Sequence, residues 1–261
     1  MSEVDPILTR RDAGGIATLT LNRPAARNAL SVALMTELEK ALAAIAADAS
    51  VKVVVLASAG PAFCAGHDLK EMRALTGRDE VAAVFALCSR VMTAVVRLPQ
   101  PVIAKVHAMA TAAGCQLVAS CDLAYASTDA KFAAPGVNIG LFCSTPMVAL
   151  SRAVGRKQAM EMLLSGVPVD AATAERWGLV NRVVPAEALD GAVAEMAGLI
   201  AAKSPYTLKV GKEAFYRQLE MGLDDAYAHA SQVMTENMLA MDAAEGIDAF
   251  LEKRQPVWRG C

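Results

Sequence analysis

Between residues 101 and 119 the chain passes from an apolar run, through a string of small residues, into a second apolar run. Residues 101–106 have the length and composition of a buried strand. The stretch Ala110-Thr111-Ala112-Ala113-Gly114-Cys115-Gln116 then opens a helix that continues through Leu117, Val118 and Ala119. Four of those seven residues are Ala or Gly, so no bulky side chain shields the backbone where the helix begins. The first N–H groups of a helix have no partner within it. With the helix dipole behind them they suit an anion or a developing oxyanion. Close packing of a helix on a sheet also asks for small residues at such a turn. Taken alone, the stretch leaves both readings open.

The rest of the chain sets the frame. Residues 7–11 and 15–21 read as two strands around a turn at Asp12-Ala13-Gly14, and Asn22-Arg23-Pro24 breaks the second. Ser31 suits the N-cap of a helix reaching Ala47, with Leu34, Leu38, Leu42 and Ile45 at helical spacing. Residues 51–57 form a second apolar strand, 58–66 a Gly- and Pro-containing loop, and 80–98 a helix ended by Pro99 and Pro101. Short strands are expected at 122–126, 130–133 and 179–184. Helices are expected at 145–153, 155–164, 170–177, 186–202, 205–219, 222–241 and 243–252. Strands alternating with helices early and helices alone late predict an α/β core with a helical C-terminal region.

Several function classes drop out. The 261 residues suffice for one large domain with its own core. A net charge of −2 gives no electrostatic case for nucleic acid or an anionic membrane surface. No charge-free run of about 18 apolar residues indicates a membrane span. Residues 1–12 lack the basic-then-apolar order of a signal peptide and the Arg-rich amphipathy of a transit peptide, so a cytoplasmic location is expected. The six cysteines show no C-x-x-C spacing and fit free buried thiols. Dinucleotide, P-loop, HExxH and GxSxG signatures are absent, and three scattered histidines make a poor metal site. No metal and no cofactor are expected. His107 reads as structural, and His229 as solvated or interfacial.

A second strand-end loop repeats the logic of the first. Phe63-Cys64-Ala65-Gly66-His67-Asp68-Leu69-Lys70-Glu71-Met72 follows strand 51–57 and is again built on small residues. Two such loops can present two N–H groups to one carbonyl oxygen. An enolate or tetrahedral adduct of a thioester needs that, and each donor is typically worth about 10²–10³ in rate. With Leu21-Asn22-Arg23-Pro24, Asn28-Ala29-Leu30, Ala113-Gly114-Cys115, Cys121-Asp122-Leu123, Phe132 with Pro135, Gly140, and Val184-Pro185, these residues resemble the crotonase (enoyl-CoA hydratase/isomerase) superfamily. The resemblance covers about residues 15–255. Residues 110–122, 140–146 and 253–258 narrow it to one branch.

The resemblance implies a crotonase-like α/β fold, with a ββα superhelical core and acyl-CoA pocket over 1–200 and a helical oligomerisation region over 201–261. It implies an acyl-CoA thioester as partner and assembly into a homotrimer or a homohexamer of two trimers. The oxyanion donors would be the backbone N–H groups of His67 and Ala113. Ala25, Arg27, Asp68, Leu69 and Lys70 would lie along the nucleotide end of CoA. Lys70 would face a phosphate as a point charge or simply be solvated. Ala65, Gly66, Ala112, Pro135, Gly136, Cys143 and Ser144 would be further substrate-binding positions.

The sequence departs from that family where protons move. The hydratases' two glutamates correspond to Gln116 and Gly136 here, and residues 139–144 supply no acid either. Gln116 can position water or substrate but cannot take a proton. Each acid–base group is typically worth about 10²–10⁴ in rate, so weak hydration is expected despite the family name. A non-catalytic acyl-CoA binder and, behind it, a thioester hydrolase are the alternatives. A nucleophilic Cys143 or Ser144 would need an activating neighbour.

Overall fold

The computed structural model describes residues 5–261. The chain opens with a hairpin of β1 (Leu8–Ala13) and β2 (Ile16–Leu21), paired from Leu8↔Leu21 to Ala13↔Ile16. Its turn is Gly14-Gly15, later than the sequence suggested. Both glycines have positive φ, 60° and 79°, which the tight hairpin turn requires and Asp12-Ala13 would resist. Helix α1 (Val32–Ala46) follows, with the Ser31 side chain accepting from the Leu34 N–H as its capping residue type predicts. Its Leu34, Leu38, Leu42 and Ile45 are buried as their spacing requires.

Then come β3 (Val53–Ser58), α2 (Leu69–Ala74), α3 (Arg78–Arg97), β4 (Val102–Val106), β5 (Ala110–Thr111), α4 (Ala113–Ala119), β6 (Leu123–Ser127), β7 (Lys131–Ala133), α5 (Ser144–Ala153), α6 (Arg156–Ser165), β8 (Val169–Asp170), α7 (Ala171–Trp177), β9 (Arg182–Val184) and α8 (Leu189–Ala201). Helices α9 (Pro205–Gln218), α10 (Leu223–Met238) and α11 (Met241–Leu251) complete the chain. Helix α2 lies where the sequence read as loop; the Asp68 side chain caps it by accepting from the Lys70 N–H at 3.2 Å. The helix expected from Ala110 begins only at Ala113, because Ala110 and Thr111 pair with Phe132 and Ala133.

The main sheet has the order β1-β2-β3-β4-β6-β9, parallel except for the β1 edge. A small sheet, β5-β7-β8, stands beside it. Strand β3 is a continuous apolar run because both its faces are covered. Val54 and Leu56 face the core shared with α1 and α3, whereas Val53 and Val55 join Ile103 and Tyr125 against Leu189, Val193 and Ala197 of α8.

The last three helices attach differently. No residue of α9 or α10 is fully buried. Helix α9 is held by Lys212, whose ammonium donates to the Asp122 carboxylate at 2.7 Å and to the Val95 and Gln100 carbonyls at 3.2 and 3.1 Å. Asp122 also accepts from the Tyr216 hydroxyl at 2.9 Å and the Val102 N–H at 2.6 Å. Phe215, Leu223, Tyr227, Met234, Leu239 and Phe250 of this arm are all more than half exposed. The C-terminal residues fold back on buried Asp242, which accepts from the Ser204 hydroxyl and the Arg259 and Gly260 N–H groups.

Candidate active site

The two small-residue loops meet. Gly66, at φ 86°, leaves no room for a side chain: a Cβ there would lie 2.9 Å from the Ala112 Cβ, 3.1 Å from the Thr111 oxygen and 3.3 Å from the Ala113 nitrogen. Gly114 is constrained in the same way by Cys64, whose Cβ would be 2.7 Å from a Cβ at 114. Strand β5 continues the contact, since Thr111 donates to the Cys64 carbonyl at 2.9 Å. Ala65, Gly66, His67, Ala112 and Ala113 therefore lie together in one cluster.

Backbone pairing decides which N–H groups are left over. Leu30 donates to the Gly66 carbonyl at 2.7 Å and accepts from the Asp68 N–H at 3.2 Å. In such a parallel bridge the middle residue, His67, turns its own N–H away from Leu30. Ala113 is the first residue of α4 and has no acceptor within the helix. Among the described residues neither N–H is paired with an acceptor of the chain. Ala112 sits between strand and helix at φ 50°, ψ −119°, a conformation open chiefly to glycine and costing about 1–3 kcal/mol. That ψ sets the peptide plane carrying the Ala113 N–H. The sequence showed an Ala here but not its strain.

Two neutral polar side chains lie nearby, Gln116 buried and His67 half-buried. Gln116 is only 4% exposed, its side chain makes no hydrogen bond within the described residues, and its Oε1 lies out of solvent. His67 packs edge-on against Phe85 of α3 at 5.4 Å, and its buried Nε2 also lacks a partner. Burial pushes the His67 imidazole below its usual range, so it is neutral at pH 7.

The position that the resemblance matches to the hydratases' second glutamate, Gly136, is closed. Gly136 follows Pro135 in a 3-10 turn, and a Cβ there would meet the Leu141 carbonyl oxygen at 2.5 Å and the Cys143 sulfur at 2.9 Å. The Gly136 carbonyl accepts from the Leu141 N–H at 2.9 Å, and its N–H points to the Cys143 sulfur. Burial pushes the Cys143 thiol up, against that N–H, and Cys115 is pushed to about 12. Both stay protonated at neutral pH, which removes the basis for a nucleophilic Cys143. Ser144 is exposed and reaches only the Phe142 carbonyl, at 3.4 Å. All six cysteines are free thiols, and Cys261 is exposed.

The residues expected along the nucleotide end form a surface strip beside Gly66. Arg27, in the left-handed region at φ 51°, accepts from the Ala65 N–H at 3.0 Å through its carbonyl. Ala25, Arg27, Leu69 and Lys70 are exposed, and neither Arg27 nor Lys70 has an ion-pair partner among the described residues. Asp68 differs, because its carboxylate is engaged within the chain: Arg23 pairs with it at 3.1 Å. Burial raises the Asp68 carboxyl, but Arg23 and the Lys70 and Glu71 N–H groups outweigh it and hold it low. Asn28, which the sequence reading used only as part of the family resemblance and gave no role, is the hub of this strip. Fully buried at φ 53°, it donates to the Ala59 and Ala62 carbonyls and accepts from the Arg23 N–H. Asn tolerates that backbone conformation better than most residues, and this was the available signal.

His107 is structural as expected, one ring nitrogen lying 2.8 Å from the Gly60 carbonyl, whereas His229 turns its Nε2 out of solvent. Among the described residues no three His, Cys, Asp or Glu side chains converge as a metal site, and no helix is long and apolar enough to cross a membrane.

Comparison with known proteins agrees with this architecture. The sequence profile of the family described as enoyl-CoA hydratase/isomerase matches residues 11–261. The mitochondrial enoyl-CoA hydratase domain-containing protein 3 of Mus musculus is 48% identical over 258 residues, spanning 98% of this chain and 86% of that protein. The crystal structure of an enoyl-CoA hydratase from Mycobacterium smegmatis superposes with a TM-score of 0.95 at 56% identity, covering 97% of this chain and 99% of that one. Human enoyl-CoA hydratase domain-containing protein 3 gives 0.94 at 47% identity, covering 97% and 100%. The fold is thus crotonase-like, as the sequence resemblance implied. The cytoplasmic expectation is corrected: the vertebrate relatives are named as mitochondrial, which points away from it. The expectation rested on the make-up of residues 1–12 and on free thiols suited to a reducing environment, and neither feature distinguishes the cytosol from another reducing compartment. On the profile match and these identities, the chain belongs to the enoyl-CoA hydratase/isomerase family.

Proposed function

We propose that this family member binds acyl-CoA thioesters and polarises the thioester carbonyl between the backbone N–H groups of His67 and Ala113. The observation that carries this is the seating of Gly66 on Ala112 and Ala113, which brings two unpaired N–H groups beside one another. Such donors cost no reorganisation when charge develops on the oxygen. The nucleotide end of CoA runs along Ala25, Arg27, Leu69 and Lys70, and the acyl end faces Gln116, Pro135, Gly136 and Cys143. Hydration is weak, because Gln116 and Gly136 move no proton. Purified protein is expected to bind acyl-CoAs in calorimetry and to hydrate crotonyl-CoA about 10²-fold or more below two-glutamate hydratases. Turnover in the ordinary hydratase range would refute it.

The missing acids favour one second reading, a non-catalytic acyl-CoA binder, and tight binding with no product from any acyl-CoA tested would select it. The exposed apolar faces of α9, α10 and α11 support assembly of the 201–261 region into homotrimers or hexamers. Sedimentation as a monomer at micromolar concentration would refute that assembly.

A further inference from the structure

A pair of oxyanion donors stabilises an enolate however the enolate is made. Removing a proton from the α-carbon, or from an attacking water, requires a base in the pocket. Gln116 is an amide, and Gly136 has neither a side chain nor room for one. The Cys143 thiol is nearly buried and stays protonated, and the His67 imidazole, packed edge-on against Phe85, is made a weaker base by its burial. What remains is a site equipped to hold a negative oxygen but poorly equipped to take a proton. One route reaches the same enolate with no base at all, namely heterolysis of the bond between the α-carbon and a carboxylate carried on it.

We propose that this site decarboxylates CoA thioesters bearing a carboxylate on the α-carbon. The inference rests on the thioester-binding reading above and names the substrate class of that site. Gln116 is the second support: 96% of its surface is buried, its Oε1 is shut from solvent with no donor, and its amide nitrogen has no acceptor among the described residues, so a half-turn of the amide presents either end to a ligand. An amide presents an N–H to a carboxylate without neutralising it. A glutamate at 116 would set like charges together and turn this substrate class away.

The step balances without a further reactant beyond water. The bond between the α-carbon and the carboxylate breaks, and its electron pair passes through the α-carbon to the thioester oxygen held by the His67 and Ala113 N–H groups. Carbon dioxide leaves. The enolate α-carbon takes a proton from water, and the hydroxide left behind combines with carbon dioxide as bicarbonate. The sum is substrate plus water giving the shortened acyl thioester plus bicarbonate, with no change in overall oxidation level. The surroundings of Gln116 favour the step, since a carboxylate held in a water-poor pocket loses its hydration while its charge moves towards preorganised donors.

The test incubates the purified full-length chain with carboxyl-labelled malonyl-CoA in deuterated water, with crotonyl-CoA hydration and calorimetric acyl-CoA binding measured on the same preparation. The expected result is labelled bicarbonate in stoichiometry with an acyl-CoA carrying solvent deuterium on its α-carbon, at a turnover at least about tenfold above crotonyl-CoA hydration. Gln116→Glu is expected to lower decarboxylation on the order of 10²-fold while raising hydration, and Gln116→Met, which adds no charge, to lower it less. Acyl-CoA binding with no label released above the enzyme-free rate overturns this inference and leaves the thioester-binding reading in place. Failure to bind any acyl-CoA overturns both.

Discussion

Glutamate placed at position 136 is expected to damage the site rather than restore a hydratase. The backbone there is ordinary 3-10 turn, so conformation does not forbid a side chain; space does. A Cβ at 136 would stand 2.5 Å from the Leu141 oxygen and 2.9 Å from the Cys143 sulfur, so residues 141–143 must retreat. That retreat breaks the hydrogen bond from the Leu141 N–H to the Gly136 carbonyl and the contact of the Gly136 N–H with Cys143. The hydrogen bond contributes about 1 kcal/mol. Overpacking adds about 1–3 kcal/mol. The lower freedom of a non-glycine residue in the unfolded chain returns about 0.4–1 kcal/mol. Gly136→Glu is therefore expected to lose about 2–3 kcal/mol in urea unfolding. Gln116→Glu, which meets no such obstacle, is expected to raise crotonyl-CoA hydration by about 10²-fold, the low end for one acid–base group. Adding Gly136→Glu to it is expected to gain less than about tenfold more. A double variant as stable as the parent chain that gained a second full factor of about 10² would refute the argument, because residues 141–143 would then be no barrier.

Other consequences are open to measurement. Ala112→Gly relieves a backbone strain of about 1–3 kcal/mol at a cost of about 0.4–1 kcal/mol in the unfolded chain. A higher urea midpoint is expected, and a lower one would mean that Ala112 is not strained. Lys212→Met leaves Asp122 with only the Tyr216 and Val102 donors, and a loss of about 3 kcal/mol is expected, near the low end for a broken buried pair. An unchanged midpoint would show that the ion pair does not fasten α9. Asp242 gives a pH signature. Burial raises its carboxyl, but Ser204 and the Arg259 and Gly260 N–H groups hold it below its unfolded value of 3.8. The stability it adds is complete above that value and lost as pH falls through the lower folded one. Trp258, which donates to the Ala202 carbonyl, is expected to report release of the C-terminal residues by fluorescence below that pH, and Asp242→Asn to abolish the transition.

What the sequence revealed follows from the range over which its signals act. The apolar runs of β3 and β4, the Ser31 cap and the leucine spacing of α1 are local, and each produced its element. The demand for small residues at Gly66 and Gly114 was also readable, because it holds wherever two backbones meet closely. The turn at Gly14-Gly15 slipped because Asp12, Ala13 and Gly14 offered a competing turn signal. Helix α2 was missed because its six residues are too few for a periodic pattern. The closure over Gly136 and the Lys212–Asp122 pair lay beyond sequence reading for a plainer reason. The first depends on the path of a loop, and the second joins residues 90 positions apart.

The way the arm is fastened bears on how the molecule breathes. Strands β3 and β4 are sealed on both faces, so their amide protons can reach water only when the whole body opens. Helices α9 and α10 bury no complete side chain, and their polar ties to the body are few: Lys212 and Tyr216 on Asp122, and the exposed Arg152–Glu220 pair. In an isolated protomer the arm amides would exchange with deuterium through partial openings of far lower free energy. Two exchange classes would then appear, divided close to Ala201, and covering the arm with another copy of the chain would slow only the second.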